Sequence, residues 1–314
     1  MTSLLPVLFF DRDLPDEFRD LVSGRAIAVG PHDYELDAAD GVIAGMRTWD
    51  AEAMARAPRL RVISRTGVGY DTVDLAAATA AGITVCYAPQ APTVSTAEHT
   101  IALIMAVTKG LRASQDRAVH GHSGGPATAL ELDGRTLGLL GFGRIARRVA
   151  TVGAALGMTV IAHDPLIDSV ADDPTVMTPV TMVALDELWL RSDIISLHAP
   201  ATVNTRHIVD ASALQTMRRG SYLINCARGA LVDHAALVNA LDSGQLGGVG
   251  LDVTEPEPLP VGHPLLTHPL AVVTPHVASG TVAGRRRLYE HAINHALATL
   301  AGTPTSVVPE QTSR

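Results

Sequence analysis

The chain has 314 residues, 47% of them hydrophobic and 18% charged, with a formal net charge of −8 at pH 7. It is long and apolar enough for about two domains with a large core, and its negative balance offers no general attraction for nucleic acid or for an anionic membrane surface, so neither partner is expected. Two cysteines, Cys86 and Cys226, stand far apart without metal-ligand spacing; they support no disulfide framework and no zinc site, and they fit a reducing cytoplasm.

The apolar run 4–10 has no basic residues ahead of it and acidic residues close behind, which reads as a first strand and not as a signal peptide. Further short β-rich runs at 26–29, 42–44, 61–64 and 83–87 alternate with polar or Ala-rich helical stretches, giving a first α/β unit. Residues 95–118 repeat Ala, Leu, Ile and Met at helical spacing with Glu98 in the first turn, which predicts one long connector helix. Its apolar portion, 100–107, is too short to span a bilayer. The segment 121–127, rich in His, Ser, Gly and Pro, predicts a mobile loop.

A second α/β unit begins where an apolar strand at 137–140 runs into Gly141-x-Gly143-x-x-Ala146 and a helix. Gly141 permits the tight turn, Gly143 lets the backbone approach a pyrophosphate, and Ala146 lets helix and strand pack closely. The next strand, 160–163, ends at Asp164, about 20 residues on, where a carboxylate would bind an adenosine ribose. Such a carboxylate accepts from a free 2′-hydroxyl and repels a 2′-phosphate, so NAD is favoured over NADP. The Asp164-Pro165 pair is also an ordinary turn signal. Strands at 194–198, 222–226, 248–253 and 272–274 bring the expected total to six, a full doubly wound sheet. The final helical stretch, 281–300, follows the completed sheet and is expected to return to the first unit. The domains are therefore 1–97 with 282–314, and 98–281, with a cleft expected between them.

Ligands in open α/β sheets bind beyond the carboxyl ends of the strands. Three polar residues stand there, each after a different late strand: Arg228, Glu257 in the loop Glu255-Pro256-Glu257-Pro258, and His276. Hydride transfer to a ketone leaves an alkoxide that needs a proton, and a histidine titrates near the working pH. His276 is the candidate donor and Glu257 the candidate partner that orients it. Arg228 can hold both a carboxylate and a carbonyl oxygen. Loop Arg, exposed Glu and capping His residues are also common at strand ends, and spacing by itself does not separate the two readings.

The whole set of motifs resembles the D-2-hydroxyacid dehydrogenases, the group that includes D-lactate, D-glycerate and D-3-phosphoglycerate dehydrogenases. The resemblance is carried by Gly67-Val68-Gly69-Tyr70-Asp71, Ala97-Glu98-His99-Thr100, the Gly141 loop through Ile145, Ser196-Leu197-His198-Ala199-Pro200, Asn225 through Gly229, Leu251-Asp252-Val253 with Glu257-Pro258, and Thr274-Pro275-His276. It implies an α/β chain of two doubly wound domains, a Rossmann NAD-binding domain inserted into a flavodoxin-like substrate domain. It implies that Arg228 orients the substrate and that His276 and Glu257 form the acid–base pair. Val68 and Gly69 would present backbone N–H groups to the substrate carboxylate. Cofactor contacts would fall on Gly141, Gly143, Arg144, Ile145, Asp164, Pro200, Thr205, Cys226, Ala227, Arg228, Asp252 and His276. Within the acidic loop, Glu255 competes with Glu257, which holds the family spacing from Asp252.

The resemblance further implies NAD as cofactor, a small 2-hydroxy or 2-keto acid as substrate (phosphoglycerate, glyoxylate and hydroxypyruvate among them), a cytoplasmic enzyme, and a homodimer formed through the cofactor domain and connector helix. Ala146 replaces the usual third glycine, Thr96 replaces a common aliphatic residue, and 120–130 lacks the tryptophan commonly found there. Formate or phosphonate oxidation is the rival reaction on this scaffold; formate enzymes of the group lack the acid partner of the histidine, so Glu257 argues against formate. A corepressor-like NAD sensor is the alternative from another class. The pairs His120/His122 and His291/His295 lack a third ligand, so no metal is expected. The run Arg285 to Arg287 could meet a phosphate, and more commonly such runs are solvated or paired.

Overall fold

A computed structural model describes residues 5–124, 129–171 and 173–312; the expected loop at 121–127 and the departing segment at 120–130 lie partly outside them. The chain divides into two compact units, Met1–Pro92 with Gly280–Arg314, and Thr93–Ser279. The first turn of the helix that begins at Thr93, which the sequence reading gave to the first unit, clusters with the second.

In the first unit, β1 (Val7–Phe10), β2 (Ile27–Val29), β3 (Gly41–Ala44), β4 (Val62–Arg65) and β5 (Thr84–Cys86) form a parallel sheet in the order β2-β1-β3-β4-β5. Successive side chains point to opposite faces of a strand. Leu8 and Phe10 therefore share one face with Ile43 and Val62 beneath Ala292, Ile293 and Ala296 of the Val282–Leu300 helix. Phe9, Val42 and Ile63 pack on the other face against Trp49 and Met54. Burial on both faces explains why these strands read as continuous apolar runs. The Val282–Leu300 helix is capped by Thr281, whose side chain accepts from the Gly284 N–H. Its arginine run is taken up inside this unit: Arg286 pairs with Asp20, Arg287 Nε donates to the Ala91 carbonyl at 3.2 Å, and Arg285 lies over the Phe18 ring.

In the second unit the described residues form seven parallel strands, one more than expected. They are β6 (Thr136–Leu140), β7 (Thr159–His163), β8 (Thr181–Met182), β9 (Ile194–Leu197), β10 (Ser221–Asn225), β11 (Leu246–Leu251) and β12 (Ala271–Val273), in the order β12-β11-β10-β9-β6-β7-β8. The strand missed, β8, is two residues long and carries no periodicity. The chain leaves β6 toward β7 and returns on its other side at β9, so the strand order reverses beside the Gly141 loop, the position where open α/β sheets bind ligands. The expected single connector is two helices, Thr93–Thr108 and Leu111–Val119, broken at Gly110, whose φ of +59° is left-handed. Glycine reaches that conformation without the Cβ clash that other residues meet, so it ends the first helix.

The Thr93–Thr108 helix lies close to β11 because Gly250 has no side chain: a Cβ there would come within 3.0 Å of Leu103 Cβ. Leu103 and Ile104 join Ile224, Leu139 and Val149 in one core, and the opposite face of the sheet closes over Ile195, Leu223, Val249, Leu188 and Leu237. Among the described residues no helix is long and apolar enough to cross a membrane.

Candidate active site

The Gly141 loop leaves β6 with Gly141 at φ +85°, its N–H donating to the His163 carbonyl at 2.8 Å. A Cβ here would stand 2.9 Å from the His198 carbonyl and the Ala199 nitrogen, so two loops meet at a point that only glycine fits. Gly143 then caps the Arg144–Ala155 helix, and a Cβ on it would meet nothing within 4 Å. Arg144 and Gly143 are exposed at this helix start, Ile145 is half-buried, and Ala146 is fully buried in the core. The first N–H groups of a helix lack internal partners and attract anions. Open space before them suits the phosphates of a dinucleotide.

Asp164 stabilises the turn itself. Its Oδ2 accepts from the Phe142 N–H at 2.9 Å and its Oδ1 from the Leu166 N–H at 3.0 Å. The half-buried carboxylate thus ties the end of β7 to the glycine loop, and its remaining lone pairs suit a ribose hydroxyl. Arg147 holds the same loop from the other side, with Nε donating to the Phe142 carbonyl at 3.2 Å and Nη1 to Asp173 at 2.5 Å. Beyond β9, Thr205 Oγ1 donates to the Pro200 carbonyl at 2.6 Å and accepts from the Thr202 N–H, closing that loop upon itself.

Beyond β10, the fully buried side chain of Asn225 shapes the segment that carries Arg228. Its Oδ1 accepts from the Ala227 N–H at 2.9 Å and its Nδ2 donates to the Arg228 carbonyl at 2.8 Å. The half-buried Arg228 folds back so that Nη1 donates to the Ala227 carbonyl at 2.7 Å. Cys226 is a packing residue here: burial pushes its thiol up to about 12, so the nucleophilic thiolate is not populated near neutral pH.

Beyond β11, Asp252 is 1% exposed. Its carboxylate accepts from Thr274 Oγ1 at 2.6 Å and from the N–H groups of Val277 and Ala278 at 2.9 and 2.8 Å. Burial works to raise its pKa, but hydrogen bonds from His99, Thr274, Val277 and Ala278 outweigh it and hold the carboxyl below its ordinary range. Asp252 is therefore a buried anion that organises the loop after β12. His276 sits in that loop at φ +53°, a conformation uncommon for a side-chain-bearing residue, with its N–H donating to the Asp252 carbonyl at 2.8 Å.

The two acidic residues of the next loop part company. Glu257 Oε1 lies 2.5 Å from His276 Nδ1. Glu255 instead faces Arg206 at 2.8 Å and His207 at 3.5 Å, and the Arg206 hydrogen bond holds its carboxyl below the ordinary range. The Glu255 carbonyl accepts from His234 Nδ1 at 2.9 Å. Arg228, Glu257 and His276 all belong to the second unit and follow β10, β11 and β12 in turn. In the first unit, Val68 and Gly69 lie in the loop after β4, where Val68 is exposed and Arg65 Nε donates to the Gly69 carbonyl at 2.9 Å. Asn225, Arg206, His99 and Arg65 escaped the sequence reading; Asn225 and His99 do fall inside its quoted motifs, whereas the long-range partner of Arg206 leaves no mark in the sequence. Among the described residues no cluster of His, Cys, Asp and Glu is arranged to hold a metal ion.

A parallel sheet with a glycine-turn helix at its switch point, a carboxylate at the end of the next strand, and a carboxylate–histidine pair in the loops after β11 and β12 are the layout of a nicotinamide-dependent oxidoreductase. Residues 101–278 match the family model described as D-isomer specific 2-hydroxyacid dehydrogenase, NAD binding domain, and the chain belongs to that family. It is 40% identical over 258 residues to the glyoxylate reductase of Thermofilum pendens, covering 81% of this chain and 76% of the relative. It is 41% identical over 242 residues to the (S)-sulfolactate dehydrogenase of Chromohalobacter salexigens, covering 76% and 77%. Its fold matches D-lactate dehydrogenase from Aquifex aeolicus complexed with NAD and lactic acid, at a TM-score of 0.82 and 30% identity over 95% of this chain and 96% of that one. The protein is an NAD-dependent oxidoreductase of the D-2-hydroxyacid class, and its second unit carries the NAD-binding fold.

Proposed function

We propose that the enzyme reduces a short 2-keto acid to its D-2-hydroxy acid and runs the reverse oxidation, with Arg228, Glu257 and His276 as its working residues. The observation that carries this reading is the 2.5 Å contact between His276 Nδ1 and Glu257 Oε1. Reduced nicotinamide, when bound, supplies the hydride. His276 delivers the matching proton to the carbonyl oxygen: with Nδ1–H donating to Glu257, Nε2 is the nitrogen that exchanges the proton, and the carboxylate stabilises the charged ring. Arg228 binds the substrate carboxylate and polarises the carbonyl, and the N–H groups of the Val68–Gly69 loop are the substrate contacts of the first unit. NAD would be held by the Gly141 to Ile145 loop and by Asp164, with Pro200, Thr205, Cys226 and Ala227 as further contacts and Asp252 near the nicotinamide. On this reading the first unit is the substrate-binding domain.

Within the keto acids we favour glyoxylate or hydroxypyruvate over a phosphate-bearing substrate. The likeness to a glyoxylate reductase supports this, as does the engagement of Arg285, Arg286 and Arg287 within the first unit. A homodimer is supported by the Leu111–Val119 helix, which buries none of its side chains and leaves Leu111 and Val119 exposed; light scattering at micromolar concentration checks it. Two free cysteines support a cytoplasmic setting.

The direct test is NADH oxidation by the purified protein, with NADPH in parallel, against glyoxylate, hydroxypyruvate, phosphohydroxypyruvate and bulkier 2-keto acids. Turnover with NADH on the two small acids, exceeding that on the phosphorylated one, is expected. Tight NADH binding without turnover on any keto acid would overturn the reading in favour of an NAD sensor.

A further inference from the structure

His99 stands in the first turns of the Thr93–Thr108 helix, and nothing in the proposed chemistry uses it. The close approach that Gly250 permits between this helix and β11 brings its ring over the loop after β12. His99 Nε2 is 3.0 Å from Thr274 Oγ1 and 3.4 Å from Asp252 Oδ1. The tautomer follows from the donor count. Thr274 has one hydroxyl hydrogen and gives it to the ionised Asp252 carboxylate at 2.6 Å, so Thr274 Oγ1 can only accept from the histidine, and Nε2 carries the hydrogen.

The chain His99 Nε2–H to Thr274 to Asp252 ends on groups that set the backbone of His276. The Asp252 carbonyl accepts from the His276 N–H, and its carboxylate accepts from the next two N–H groups, those of Val277 and Ala278. These bonds hold His276 at φ +53°, a conformation that persists only where its surroundings over-determine it. We propose that His99 is a positioning residue for this reaction, which orders Thr274 and Asp252 so that the loop presents the His276 ring to Glu257 and to the substrate. The inference rests on the reading of His276 as the proton donor.

The test compares His99→Leu, which removes the donor, with His99→Gln, whose amide restores an N–H at similar reach. In His99→Leu, kcat for keto acid reduction should fall by about 10- to 100-fold, because displaced catalytic groups lose near-attack geometry. The solvent deuterium isotope effect on kcat should rise as proton delivery becomes limiting, NADH affinity should fall far less than kcat, and amide exchange at Val277 and Ala278 should quicken. His99→Gln should recover most of the rate and the slow exchange. An unchanged kcat in His99→Leu, a loss that appears wholly in NADH affinity, or a loss with unaltered isotope effect and no rescue by Gln would overturn the proposal. If the wild-type protein turns over no keto acid, the reading of His276 fails; the exchange rates at Val277 and Ala278 still decide whether His99 orders the loop.

Discussion

Gly229 packs directly against the backbone of Thr254: a Cβ at Gly229 would overlap the Thr254 carbonyl group and crowd the Glu255 nitrogen. The segment that carries Arg228 and the acidic loop that carries Glu257 are therefore set against each other through one position without a side chain. Gly229→Ala must push the two loops apart. We expect a loss of stability of about 1–3 kcal/mol, the usual cost of overpacking, and a fall in kcat/KM larger than this explains. Thermal unfolding and steady-state kinetics on the variant check both, and wild-type values in either would show that the loops yield cheaply.

The two acidic residues of that loop should respond oppositely to neutralisation. Glu257→Gln removes the carboxylate from His276 and should lower kcat by roughly 10²-fold or more, within the range of general acid–base contributions. Glu255→Gln breaks an exposed pair with Arg206, the kind worth only about 0–1 kcal/mol, and should leave kcat within a few-fold of the parent. Equal losses in the two variants would show that the pairing seen here does not assign the roles.

Asp164 couples cofactor choice to loop structure. Asp164→Ala should weaken NADH binding and narrow the gap between NADH and NADPH, since the charge that repels a 2′-phosphate is gone. It also leaves the Phe142 and Leu166 N–H groups without their acceptor, at a cost of about 1 kcal/mol. Titration of both cofactors by fluorescence, with a melting curve, separates the two effects. Undiminished preference for NADH would place the discrimination elsewhere.

Acid should destabilise the fold before the carboxylates titrate. Desolvation of the His198 ring, whose Nε2 meets Ser196 Oγ at 3.0 Å, holds its pKa down at about 4. The unfolded chain takes up that proton near pH 6.5, so between pH 6.5 and about 4 the unfolded state binds more protons and stability falls as pH falls. His234, also lowered by burial, acts in the same direction. Asp252 works further down: its carboxyl titrates below the ordinary range when folded, so its contribution is lost only beneath that range. The melting temperature should drop from pH 7.5 to pH 5, and His198→Gln should shrink the drop. An equal drop in that variant would contradict the assignment.

Much of this was legible in the sequence, because the parallel strands are buried on both faces and read as apolar runs ended by glycine or polar residues. The glycine turn, Asp164 and the three strand-end residues were all marked by position along such runs. Other features were not marked. Gly110 looks like any glycine in an Ala-rich helical pattern, and only its left-handed φ shows that the helix stops there. Two-residue β8 has too few side chains to show alternation. Arg206 and Glu255 stand 49 residues apart, and Asn225 acts through bonds to its own loop. Spacing could name Glu255 and Glu257 as rivals, but their separation needed the positions of Arg206 and His276 in space.

The central claim is that His276 supplies the proton while most of the hold on the dinucleotide comes from the Gly141 loop and Asp164. The most direct measurement is kcat/KM for glyoxylate with His276→Asn beside the wild-type protein, together with the NADH dissociation constant of each. A fall of roughly 10²- to 10⁴-fold in kcat/KM with little change in NADH affinity is predicted. Full turnover by His276→Asn would contradict the account.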